Sequence, residues 1–247
     1  MAENPKEFHV GLAFDQMRNR QFVGRETALL HLDRILHDTS PDSNFRLAVL
    51  YGTGGVGKTQ IALEYAYLSR FKYSAIFWID GSSRESALHG IGEYLEKIAS
   101  LYISLGASQD NPRYRKIKDA LDRAQNGERA PRSQKSDSVG DDRHPKAQHL
   151  RALKEAFIDW LSLDNNRHWL IILDNVDDIE SFDFRELLPK TEHGAVIVTS
   201  RRSDLALKWD AIEVTDMDAD EALNLLMAST RLVLRRETDG TFNIGTS

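Results

Sequence analysis

The 247-residue chain contains no cysteine, so it can form neither disulfides nor thiolate metal sites. That absence fits an intracellular, cytoplasmic location. No apolar run approaches the roughly 20 residues of a membrane-spanning helix, so no membrane partner is expected. The opening stretch, MAENPKEFHVGLAFDQMRNR, lacks the basic start and apolar core of a secretory signal. Neither an N-x-[ST] glycosylation acceptor nor an H-E-x-x-H zinc pattern occurs, and no internal repeat is visible. Excess positive charge is missing too: the formal net charge is −6, which argues against bulk electrostatic attachment to nucleic acid. What is present is 41% hydrophobic content in a length that suits one large or two modest domains.

Within that chain, LAVLYGTGGVGKTQIALEYA (47–66) runs from an apolar strand-like segment into glycines and then into a helical pattern. Gly52, Gly57, Lys58 and Thr59 satisfy the P-loop spacing G-x-x-x-x-G-K-[ST], with Gly54 and Gly55 inside the loop. Glycine is needed because the backbone must curl until successive N–H groups point at one anion. The helix behind the loop adds its own free N–H groups and the positive end of its dipole. Lys58 is placed to reach the β- and γ-phosphates and the Thr59 hydroxyl to ligate Mg²⁺. Val56 and Gln60 complete the candidate cofactor-binding stretch.

Short apolar, β-rich runs occur at 46–51, 74–80, 168–174, 194–200 and 211–215, separated by helical patterns at 25–37, 58–70, 83–103, 147–163 and 218–234. Such alternation predicts an α/β fold: a parallel sheet of about five strands with helices on both faces and the ligand at the carboxyl ends of the strands. Residues 106–149 stand apart. They are polar, hold ten Lys/Arg and seven Asp/Glu, and have only a short helix-capable stretch near 113–125. A solvated, largely disordered insertion is expected there. Its basic tilt invites a nucleic-acid reading, but Tyr114 is the one aromatic available for stacking. After Arg235 periodicity is lost and a frayed tail is expected.

The run WLIILDNVDD ends a buried strand in Asp174, the position of a carboxylate that holds Mg²⁺ directly or through water. Asn175 follows, where many ATPases carry a second acid to polarise the attacking water. An amide cannot accept a proton, so rapid turnover is not expected. Asp177 and Asp178 either substitute for that acid or form a solvated turn, the turn being favoured. In GAVIVTSRRSD, a hydroxyl from Thr199 or Ser200 and a guanidinium from Arg201 or Arg202 sit where they could contact a γ-phosphate, Arg201 being the better choice.

FVGRE (22–26), the P-loop segment, AIFWIDGSS, WLIILDNVDD, GAVIVTSRRSDLA and IEVTDMDADEALNLL occur in the order and rough spacing of the NB-ARC domain. The chain thus resembles the nucleotide-binding module of the signal-transduction ATPases with numerous domains, most closely the branch found in fungal NOD-like receptors. The resemblance implies that Val23, Gly24 and Arg25 wrap adenine and ribose. It implies that Gly55, Gly57, Lys58 and Thr59 cradle phosphate, that Asp174 holds Mg²⁺ and that Arg201 is a sensor-like arginine. It further implies a purine nucleotide, ADP or ATP, as ligand, slow hydrolysis at most, oligomerisation in a full-length context and a part in innate-immune signalling. The expected organisation is a lead-in at 1–20, a nucleotide-binding domain at 21–216 with the insertion 106–149, and the start of a helical ARC subdomain with the frayed tail at 217–247. No Gly-Leu-Pro-type motif, winged helix or Met-His-Asp motif follows DADEALNLLMAST, so half of the family's adenine clamp is absent from these residues.

Three readings compete with a regulatory switch. They are a turnover-competent P-loop ATPase or kinase, a degenerate interaction scaffold that binds no nucleotide, and nucleic-acid binding through the insertion. Adenine over guanine rests on the resemblance alone, as no guanine-reading N-K-x-D motif is present.

Overall fold

The computed structural model describes residues 10–37, 46–106, 111–128, 145–230, 232–236 and 242–246. Strands β1 (Gly11–Leu12), β2 (Arg46–Tyr51), β3 (Ala75–Asp80), β4 (Trp169–Asp174), β5 (Ala195–Ser200) and β6 (Asp210–Glu213) form one sheet. Its order is β1-β3-β4-β5-β2-β6 and every pairing is parallel. Six strands thus stand where the sequence predicts about five. The added one, β1, is two residues long and is fixed by pairing of Gly11 with Ala75 and Leu12 with Ile76.

Apolar residues fill both faces of the central strands because β side chains alternate in direction. Val49, Phe77, Ile171 and Val198 face one core, and Leu50, Trp78, Ile172 and Ile197 face the other. The first core is covered by α3 (Arg84–Ser104), α4 (Pro112–Glu128) and α5 (Pro145–Leu161); the second by α1 (Glu26–Leu36) and α2 (Lys58–Leu68). Each large side chain sealed there, such as Trp169 or Phe157, contributes about 1.5–3 kcal/mol.

The expectation of a mostly disordered insertion is corrected over its first half. Residues 112–128 form α4, whose Tyr114, Ile117 and Ala120 are buried at helical spacing against α3 and α5. Three apolar residues on one face suffice to dock a helix whose remaining surface is charged. Residues 129–144 of that segment, and 1–9 of the lead-in, lie outside the described residues. The helix predicted over 218–234 is α6 (Ala219–Thr230); its predicted end falls instead in strand β7 (Leu232–Arg236), which pairs antiparallel with β8 (Phe242–Thr246) in the tail expected to fray after Arg235. Among the described residues, no helix is long and apolar enough to cross a membrane.

Candidate functional site

Two parallel strands set the position of the glycine loop. β2 lies between β5 and β6, so the loop leaving its carboxyl end has the end of β5 on one side and the end of β6 on the other. The Val214 amide donates to the Tyr51 carbonyl at 2.7 Å, tying the β6 exit to the start of the loop. There the chain passes so close to itself that a Cβ on Gly52 would stand 2.2 Å from the Val214 carbonyl oxygen. At the far end, Gly57 caps α2 with φ 100°, a left-handed conformation that a side chain would strain. Lys58 then folds back over the loop, its Nζ donating to the carbonyls of Gly52 at 2.9 Å and Thr53 at 2.7 Å. Partial burial pulls its ammonium below the usual lysine range. Asp177 and Asp174 oppose that shift and Arg201 adds to it.

Behind the loop, Asp174 is buried and its Oδ1 accepts two hydroxyls, from Thr59 at 2.9 Å and from Thr199 at 2.5 Å. Thr199 Oγ1 in turn accepts the Asn175 amide at 3.0 Å. Asn175 has φ 64°, a conformation asparagine tolerates better than most residues, and it is exposed at the cavity wall. Beside it, Asp177 Oδ1 accepts the Arg201 backbone amide at 2.7 Å, while its Oδ2 lies 3.2 Å from Arg201 Nε. Ser200 donates to the Val176 carbonyl at 2.5 Å. The turn predicted for this acidic pair is therefore divided: Asp178 accepts the Ser181 amide at the surface, whereas Asp177 faces the cavity.

The cleft has two compartments. One, of about 240 Å³, is lined by loop glycines, Lys58, Thr59, Asn175, Asp177 and Arg201. The other, of about 290 Å³, is mostly apolar, with Phe22, Val23, Val56, Ile61, Met217 and Leu225 in its wall. Gly55, Gly57 and Gln60 border both.

The apolar compartment is assembled from parts distant in sequence. Arg25 donates through Nη2 to the carbonyls of Thr215 at 2.8 Å and Val56 at 3.2 Å, and through its backbone N–H to Glu221 Oε1 at 3.0 Å. Glu221 also belongs to a capping box that starts α6: its amide donates to Asp218 Oδ1 at 2.8 Å and its Oε2 accepts the Asp218 amide at 3.3 Å. Gly24 lies against this carboxylate; a Cβ there would stand 2.8 Å from Glu221 Oε1.

Of the residues singled out in the sequence, Val23, Arg25, Gly54, Gly55, Val56, Gly57, Lys58, Thr59, Gln60 and Arg201 line one compartment or both. Gly24, Gly52 and Asp174 stand just behind the lining, held by the contacts above. Of the two hydroxyls named as candidates for a γ-phosphate contact, that of Thr199 points to Asp174 and that of Ser200 to the Val176 carbonyl. Glu221 was not anticipated, although its signal, Asp218-x-x-Glu221 ahead of an apolar run, is readable in the sequence.

Thr59 and Asp174 supply hard oxygen donors beside the loop, a set that suits Mg²⁺ held by one or two protein groups plus phosphate and water. Among the described residues, no three His, Cys, Asp or Glu side chains gather as a metal site of their own.

A family model described as an AAA ATPase domain matches residues 21–199, well over half of the chain. The chain is similar to a nucleotide-binding leucine-rich repeat (NLR)-like protein of Hyaloscypha variabilis, with 26% identity over 243 residues. That alignment takes in 90% of this chain and 20% of the relative, so the chain spans about a fifth of the relative's length. Among solved structures, Cdc6p from Pyrobaculum aerophilum is similar with a TM-score of 0.47 and 15% identity, over 87% of this chain and 52% of that one.

Proposed function

This chain belongs to the AAA ATPase domain family, and from that premise we propose that it is an ADP/ATP-binding, Mg²⁺-dependent regulatory module with slow or no hydrolysis. The observation that carries the proposal is the pairing of a complete phosphate loop with an Asp174 carboxylate that accepts two hydroxyls and is followed by an amide, Asn175. In this reading the loop amides and Lys58 bind the phosphates. Thr59 and Asp174 hold Mg²⁺, which supplies charge neutralisation at the phosphate oxygens when bound. Arg25 and Val23 border the base and ribose compartment, and Arg201 contacts the terminal phosphate. Asn175 offers no base for an attacking water, and the nearby Asp177 carboxylate accepts the Arg201 backbone amide. A site that grips and turns over slowly stores a state, which is what a switch needs.

The resemblance to NB-ARC modules and the similarity to an NLR-like protein support placing such a switch in a larger cytoplasmic signalling protein of the NOD-like-receptor type, acting in innate immunity and oligomerising in the full-length context. Nucleic acid and membrane have no place in this reading.

Steady-state phosphate release with Lys58→Ala as control tests it. Turnover well under the roughly 1–1,000 per second of ordinary enzymes is expected. Brisk turnover that vanishes in the variant would favour the ordinary ATPase. In parallel, a fluorescent ADP analogue should bind the wild-type chain. A folded chain that binds none would favour the scaffold.

A further inference from the structure

We infer that Asp177 sets the preference of the phosphate compartment for a diphosphate over a triphosphate, by holding the Arg201 side chain in competition with a terminal phosphate. This inference rests on reading the cleft as a nucleotide site and goes beyond it by naming the residue that ranks the two ligands.

The clamp arises from strand order. β4 and β5 are neighbours, so the residues just past their carboxyl ends are brought together although 24 positions apart in sequence. Asp177 grips Arg201 twice, at the backbone amide and at Nε. The guanidinium so held lies over the loop, 3.7 Å from where a Cβ on Gly54 would stand. Lys58 and Arg201 are the cations in the wall of this compartment, and Asp177 is the carboxylate in it. Asp177 shares this wall with Lys58 and, like Asp174, favours its charged form.

A bound triphosphate brings more negative charge into that wall than a diphosphate. To meet the terminal phosphate, the Arg201 guanidinium has to leave the Asp177 carboxylate that holds it, which costs free energy that the diphosphate avoids. The side chains of Asp177 and Arg201 are 35% and 70% exposed, so water screens the effect to a moderate size. Asp177→Asn removes the competing charge and keeps an oxygen acceptor for the Arg201 amide.

Calorimetric titration with Mg²⁺·ADP and with the Mg²⁺ complex of a β,γ-imido ATP analogue tests the inference, because affinity is read without turnover. Asp177→Asn should raise the ratio of triphosphate-analogue to ADP affinity about tenfold, which is about 1.4 kcal/mol. The gain should be lost when Arg201→Gln is added, because the carboxylate acts through the guanidinium. Asp177→Ser, with the same loss of charge, replaces the first variant if its thermal midpoint shows a folding defect. A ratio within about twofold of wild type, with both ligands still binding, overturns the inference and leaves the nucleotide reading standing. A gain that persists in full in the Arg201→Gln background overturns it as well. A wild-type chain that binds neither ligand overturns the nucleotide reading, and the inference with it.

Discussion

The two compartments of the cleft are built on opposite plans. The phosphate side grows from strand ends: Asp174, Thr199 and Ser200 close β4 and β5, and one buried carboxylate oxygen gathers two hydroxyls from different elements. The apolar side, proposed for the base, has no strand residue in its wall. Beside Val56 and Ile61 its walls are the lead-in, with Phe22 and Val23, and the stretch running from Met217 into α6 at Leu225, joined through Arg25 and Glu221 across 196 positions of sequence. A site anchored to a sheet is rigid because its backbone hydrogen bonds are shared with the core. A site held by one capping box and one arginine can open while the sheet stays intact. Grip and release can thus be separated in one small domain.

Substitutions on the phosphate side should produce the largest effects. Lys58→Ala should weaken ADP and ATP together by about 2–5 kcal/mol, hence about 30-fold to a few thousand-fold, as measured by calorimetry. Asp174→Asn should follow. It keeps the shape of the carboxylate but not its charge, so affinity should fall about 10–100-fold and the dependence on Mg²⁺, checked by titrating with EDTA, should disappear. If Mg²⁺ dependence survives in that variant, the metal is held elsewhere.

The base side should respond more weakly and without regard to phosphate number. Glu221→Ala removes the side-chain half of the α6 capping box, where Oε2 accepts the Asp218 amide, and the acceptor for the Arg25 amide, which costs about 1 kcal/mol. Stopped-flow release should become about fivefold faster for ADP and ATP alike, with Mg²⁺ dependence unchanged. A change in the ATP-to-ADP ratio would erase the distinction between the compartments. Smallest in binding is Arg18→Ala. It strips both hydrogen bonds, at 3.0 and 2.6 Å, from the buried Glu64 carboxylate on α2. An unpaired buried acceptor costs about 1–3 kcal/mol, so thermal denaturation should drop by several degrees while nucleotide affinity holds.

What the sequence reveals divides along the same line. The phosphate loop, Asp174 and Arg201 are legible because each is a local pattern: glycines at fixed spacing, or an apolar β-rich run ending in a polar residue. Five strands of the sheet are legible for that reason too. β1 is not, since Gly11 and Leu12 carry no strand signal and become a strand because β3 offers a free edge. α4 is read only as a short helix-capable stretch near 113–125 because the charge around it signals disorder, although Tyr114, Ile117 and Ala120 already mark a buried face at helical spacing. The Asp177–Arg201 pair and the Arg25–Glu221 contact need a topology before they can be foreseen. Each joins residues that chain proximity does not bring together, and only the order of strands, or the return of α6 to the lead-in, makes them neighbours.

Hydrogen exchange followed by mass spectrometry, with and without saturating Mg²⁺·ADP, tests the nucleotide cleft most directly because it reports where the ligand sits. The expected result is slowed exchange at the loop amides of residues 53–60, together with the start of α6 near residues 218–222 and the 22–26 segment. Unchanged exchange across the loop, or protection confined to α4 and α5 on the far face of the sheet, would contradict it.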